Sequence, residues 1–173
     1  MNAEQAKFLA DYFAGLIEQE TVTTAKVLAA VPDDKRDYKP DPKSRTAWEL
    51  TTHLATGDVW FLQSILDGKF EMDPAEAEKA AKQFSTVAQV VEFYKREVPP
   101  RIKALRELPA EKLTQVVDFF GVTKQPNAAF LGIATTHGVH HRGQLAAYLR
   151  AMGSKVPSIY GGSADETWQG PVE

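Results

Sequence analysis

FLGIATTHGVHHRGQLAAYLRAM, residues 130–152, carries three of the chain's four histidines on a helical pattern. Phe130, Ala134, His137, His141, Leu145, Tyr148 and Met152 recur at three- and four-residue steps, which places them on one face of a helix. Pro126-Asn127 precede this helix, and Gly153 follows it as a residue free to take the left-handed cap conformation. His137 and His141 stand one turn apart on the face that carries the apolar side chains, so they offer two imidazoles to one point. His140 is rotated by roughly 100° from His141. It shares its face with Ile133, Thr136, Gln144 and Ala147 and is the weakest ligand candidate of the three.

Upstream, residues 46–66 read as a second helix. Thr46 and Glu49 have the spacing of a capping box, and Asp67-Gly68 stops the run. His53 lies on its apolar side with Leu50, Gly57 and Trp60, and Gly57 permits a close approach to the helix. Residues 3–30 form a long amphipathic segment with Phe8, Leu9, Tyr12, Phe13, Leu16 and Ile17 at helical spacing, ending at Pro32-Asp33-Asp34. The connector DDKRDYKPDPKS is too rich in charge and proline for a core element. A further helix opens near Ser85-Thr86 and carries Val90, Val91, Phe93, Tyr94 and Val98 to Pro99-Pro100, where a kink or break is expected before Ile102 and Leu105. LTQVVDFFGV, residues 113–122, has β propensity but no evident partner strand, and reads as a loop or an extra turn. Four helices without sustained alternation make the class all-α. The expected architecture is a four-helix bundle over residues 1–173, with long loops and an irregular C-terminal tail.

Composition narrows the function. Twenty Lys+Arg against 23 Asp+Glu leave no basic field for phosphate backbones or anionic lipid, so nucleic acid is not an expected partner. No apolar run approaches bilayer length and the N-terminus lacks a signal pattern, so no membrane association and a cytoplasmic location are expected. The chain has no cysteine, so any metal must be held by imidazole and carboxylate.

Ligand sites in helical bundles are assembled from facing helices, and His53 supplies the third imidazole to His137 and His141. Three histidines leave a coordination position open, as catalytic zinc sites do. The plainer alternative is three core histidines with hydrogen-bonded rings, or a wet surface turn. It is weaker jointly than singly, because each unpaired imbedded imidazole would cost roughly 1–3 kcal/mol. Glu49, four residues before His53, either reaches the metal, orients the His53 ring or closes the cap with Thr46. Arg142 and Gln144 lie off the ligand face, where pairing with a neighbouring helix is expected. Gly143 suits close helix packing, and Trp48, Trp60 and Tyr148 are core residues before they are pocket walls. Tyr160, Asp165 and Glu166 belong to a tail that either returns over the site mouth or lies on the surface.

SRTAWELTTHLATGDVWF together with HGVHHRGQLAAYLRAMGSKVPSIYGGSADE resembles the DinB/YfiT-like superfamily of metalloenzymes, in its DinB branch, with HxxxHRGQ as the most specific element. The resemblance extends from Tyr38-Lys39-Pro40 to Tyr160-Gly161. It implies a four-helix bundle, a homodimer, and a divalent metal on one histidine of the second helix and two of the last, which correspond to His53, His137 and His141. Zinc, nickel, iron and copper all suit such a site. Superfamily members that use low-molecular-weight thiols imply a metal-dependent thiol transferase acting on a small-molecule substrate. A metal-dependent hydrolase and a non-enzymatic stress-response metal protein are the alternatives.

Overall fold

Asn2 opens the first helix. Gln5 N donates to Asn2 Oδ1 at 2.9 Å and Asn2 N donates to Gln5 Oε1 at 3.0 Å, so a capping box satisfies two free N–H groups at the start of α1 (Ala3–Ala29). The computed structural model describes residues 1–167, apart from the side chains at 77 and 81; the end of the expected tail, 168–173, lies outside the described residues. α2 (Ala47–Asp67), α4 (Val87–Glu107) and α6 (Phe130–Ala151) complete the bundle. Each of the four packs on two others, α1 on α4, α4 on α2, α2 on α6 and α6 on α1, which closes a ring around the core. The fold is all-α, as the sequence reading expects.

The side of α1 that enters the core is made of small residues. Ala6, Ala10 and Ala14 are fully buried and Thr21, Thr24, Ala25 and Leu28 continue the face, while Phe8 and Tyr12 project outward at 68% and 58% exposure. Leu9, Phe13 and Ile17 pack at its edge. Small side chains let the backbones of neighbouring helices approach closely, so the alanines and not the aromatics face inward.

α4 runs through Pro99 and Pro100 without the expected break. The prolines lie on the exposed side, as do Lys95 and Arg96, whose carbonyls lose their helical donors. Val91, Tyr94, Val98, Ile102 and Leu105 hold the opposite side in the core.

Residues 113–122 also depart from expectation. Leu113 and Thr114 finish a short helix, α5 (Ala110–Thr114), and β1 (Val116–Phe119) pairs antiparallel with β2 (Thr123–Pro126). The partner strand, TKQP, is polar and proline-ended, which conceals it from a search for apolar alternation. Phe120 (φ 53°) and Gly121 (φ 72°) turn the chain in the left-handed region, Asp118 Oδ1 accepts from Gly121 N at 2.6 Å, and Lys124 pairs with Asp118 at 3.1 Å. A further short helix, α3 (Pro74–Lys82), has Asp73 as its cap and proline in its first turn.

After α6, Gly153 (φ 72°) ends the helix and the tail returns along α1. Ser154 Oγ donates to Ala30 O at 2.7 Å, Arg150 pairs with Asp165 at 2.5 Å, and Tyr160 OH donates to Glu20 Oε2 at 3.0 Å.

Candidate metal centre

The capping box of α2 sets the phase of its first two turns. Thr46 N donates to Glu49 Oε2 at 2.7 Å and Glu49 N donates to Thr46 Oγ1 at 3.1 Å, so Glu49 serves the cap. That hydrogen bond from the Thr46 backbone holds its carboxyl below the ordinary range. One turn on, His53 points toward α6. His53 Nε2 lies 3.2 Å from His141 Nε2 and 3.3 Å from His137 Nε2. Among the described residues, these three form the group whose nitrogens converge closely enough to share an ion. His140 is exposed, stacked edge-on against His141, and outside that group.

The convergence fits a tetrahedral cation. Two nitrogens each about 2.0–2.1 Å from one ion at a tetrahedral angle stand about 3.3 Å apart. Protonation suits it as well: burial foremost, with the nearby Arg45, His141 and His137 charges, pushes His53 down to about 3, so at neutral pH it carries a free lone pair. Burial also lowers His141. Its Nδ1 meets Gln144 Oε1 at 2.8 Å, and because a carbonyl oxygen can only accept, the His141 proton sits on Nδ1 and Nε2 is left to bind. Gln144, expected on a structural face, therefore orients the His141 ring one turn away. The signal was its i+3 spacing from His141.

His137 reaches the centre through a gap in α2. A Cβ at Gly57 would lie 2.8 Å from His137 Cε1, so only glycine leaves room for the ring. Its Nδ1 faces Asp58 Oδ1 at 3.6 Å, and neither atom has another partner. Asp58 Oδ2 accepts from Tyr94 OH at 3.0 Å. Burial and the Asp58 carboxylate raise Tyr94 well above its ordinary value, so it remains a donor. Sequence reasoning passed over Asp58, although it is the one charged residue between Glu49 and Asp67 on α2.

The three histidines line a cavity of about 540 Å³. Trp60, Phe61 and Phe119 wall it, and Met72, Glu76 and Ala80 come from α3 and the loop before it. Trp60 Nε1 donates to Glu71 O at 3.0 Å, and Phe120 of the hairpin stacks on Trp60 with centroids 6.3 Å apart. Trp60 is thus a wall of the cavity as well as a core residue. Tyr148 is not among its walls and instead packs edge-on against Tyr38, 5.7 Å between centroids. The returning tail has none of its described residues on the cavity wall. Its Tyr160 instead meets Arg142, which is 1% exposed and pairs with Glu20 at 2.5 Å while donating to Thr24 Oγ1 at 3.2 Å and Tyr160 OH at 2.5 Å. Arg142 thereby joins α6 to α1 and the tail.

The DinB family model matches residues 5–170. YjoA of Bacillus subtilis (strain 168) is 28% identical over 140 residues, 79% of this chain and 86% of its own length. The crystal structure of a DinB-like protein from Bacillus cereus ATCC 10987 superposes with a TM-score of 0.70 at 28% identity, covering 86% of this chain and 95% of that one. A mutant of the mycothiol-dependent maleylpyruvate isomerase superposes with a TM-score of 0.57 at 13% identity, over 84% of this chain and 61% of its own, a likeness of fold alone. Among the described residues, no helix is long and apolar enough to cross a membrane.

Proposed function

Given that this chain belongs to the DinB family, we propose that it is a metal-dependent enzyme which binds a divalent ion on His53, His137 and His141 and carries out thiol-dependent transfer on a small molecule held in the adjoining cavity. The observation that carries this reading is the convergence of three Nε2 atoms in the wall of a cavity of about 540 Å³. A buried structural centre would have no such space beside it. An ion held there would lower the pKa of a thiol that reaches it, so that thiolate forms near neutral pH.

The chain's own residues supply the rest. Gln144 keeps His141 in one tautomer, burial keeps His53 neutral, and Trp60, Phe61 and Phe119 exclude water from the reacting group. With no cysteine in the chain, the sulfur comes from a cosubstrate. The thiol dependence of the isomerase that shares the fold supports this choice, and its extension to this chain is part of the proposal, as are the homodimer and the identity of the ion as zinc, nickel or iron. Glu71, Asp73 and Glu76 are among the residues that line the same cavity. Glu71 pairs with Lys69 and Asp73 caps α3, so Glu76 is the one that favours, as a second reading, metal-dependent hydrolysis with a carboxylate general base.

The test compares conjugation of a generic electrophile with bacillithiol, glutathione, cysteine or no thiol, in metal-loaded and chelated protein. Turnover that needs both metal and thiol is the expected result. Metal-dependent cleavage of an ester or amide without thiol would favour the hydrolase. No turnover in either panel would leave a non-enzymatic, stress-response metal protein as the reading.

A further inference from the structure

Gly57-Asp58 on α2 and His137-Gly138 on α6 interlock: each glycine makes room for the other helix's functional side chain. The ring of His137 occupies the place of a Gly57 side chain, while a Cβ at Gly138 would lie 3.1 Å from Asp58 Oδ1 and 3.3 Å from Oδ2. The carboxylate is therefore pressed against the turn that carries His137. Its Oδ1 and the His137 Nδ1 are both buried without a partner, and they face each other at 3.6 Å. Closing to an ordinary hydrogen bond needs a movement of about 0.7 Å.

We propose that Asp58 is the positioning residue of the centre: its Oδ1 takes the Nδ1–H of His137, which leaves the Nε2 lone pair directed at His53 and His141. The inference rests on the metal-binding reading above. Asp58 is absent from the cavity wall, so it acts through His137 and not on substrate. Its other oxygen is anchored by Tyr94 on α4, which donates to it at 3.0 Å. One polar chain thus ties His137 of α6 to α2 and α4. Among the described residues no lysine or arginine pairs with Asp58, which leaves His137 and Tyr94 as the groups that face its carboxylate.

Tyr94 also determines what an amide would do at this position. In Asp58→Asn the side-chain oxygen would accept from Tyr94, leaving the NH₂ facing His137. His137 Nδ1 would then have to accept and its proton would move to Nε2, the atom needed for the ion.

Long-range ¹H–¹⁵N correlation of the histidine rings in metal-free protein reads the tautomer directly. The native chain is expected to show His137 protonated at Nδ1, and Asp58→Asn to show it at Nε2. Zinc affinity, measured by chelator competition, is expected to fall about 10–100-fold in Asp58→Asn, with circular dichroism unchanged. Tyr94→Phe, which frees the carboxylate without removing it, should give a smaller loss. A native His137 protonated at Nε2 overturns the proposal without any variant, as does an unchanged tautomer in folded Asp58→Asn. If instead the native chain holds His137 protonated at Nδ1 but binds no zinc, the metal reading fails and the Asp58–His137 pairing stands.

Discussion

His137 fits against α2 only because residue 57 has no side chain: a Cβ there would stand 2.8 Å from its Cε1. Gly57→Ala sets two effects against each other. Alanine favours a helix interior over glycine by about 0.8–1 kcal/mol. The obstructed group is the end of a side chain that can rotate away, so the fold is expected to survive while the ring leaves the centre. Zinc affinity should drop about tenfold or more, as when an orienting partner is lost. Chelator competition alongside thermal melting checks this; undiminished affinity would show that the ring tolerates the methyl group.

His53→Ala, His137→Ala and His141→Ala should each abolish stoichiometric binding of a divalent ion, whereas His140→Ala should retain about one ion per chain. Elemental analysis of the purified variants decides the matter. Equal loss in all four would remove the basis for excluding His140.

Acid should destabilise the metal-free protein through His53. Its folded pKa, held at about 3, lies below the unfolded value of 6.5, so between those pH values the unfolded chain binds more protons. Stability contributed by the neutral ring is complete above pH 6.5 and is lost progressively as pH falls toward 3. Urea midpoints at pH 7 and pH 5 should differ more in the native chain than in His53→Ala. Equal differences would mean that burial does not hold the ring neutral.

Arg142→Ala should cost about 3–5 kcal/mol, because it strands Glu20 beside Thr24 and Tyr160 in a site built around a charge. Tyr160→Phe removes two hydrogen bonds at an exposed edge, one donated to Glu20 and one accepted from Arg142, and should cost about 1–2 kcal/mol. Urea unfolding of zinc-saturated protein gives both values. An Arg142→Ala loss no greater than that of Tyr160→Phe would mean that the ion pair contributes little to the bundle.

The convergence of His53, His137 and His141 is legible in the sequence because helix phase alone aims them: the Thr46 cap sets the register of one helix, and the i, i+4 pair shares a face of the other. Asp58 is not legible in that way. Its distance in sequence from His53 puts it on another side of α2, and its partner is reached only across the interface with α6. The hairpin escapes for a different reason, since β2 has neither apolar alternation nor β-branched content beyond Thr123 and is held by pairing and by the turn at Phe120-Gly121. On α1 the aromatic residues draw attention, yet the alanines fill the core, because close packing selects for small size as much as for hydrophobicity.

The histidines and the side chains that orient them sit on α2, α4 and α6, whereas much of the cavity wall comes from what joins those helices: residues 71–73, α3 and the hairpin. Descent can therefore act on the two separately. Insertions and exchanges in connecting segments reshape the space beside the three histidines without displacing the nitrogens that converge there. A lineage built on this plan can diverge in what the cavity admits while inheriting the histidine cluster intact, so two relatives that share all three histidines need not share a bound molecule.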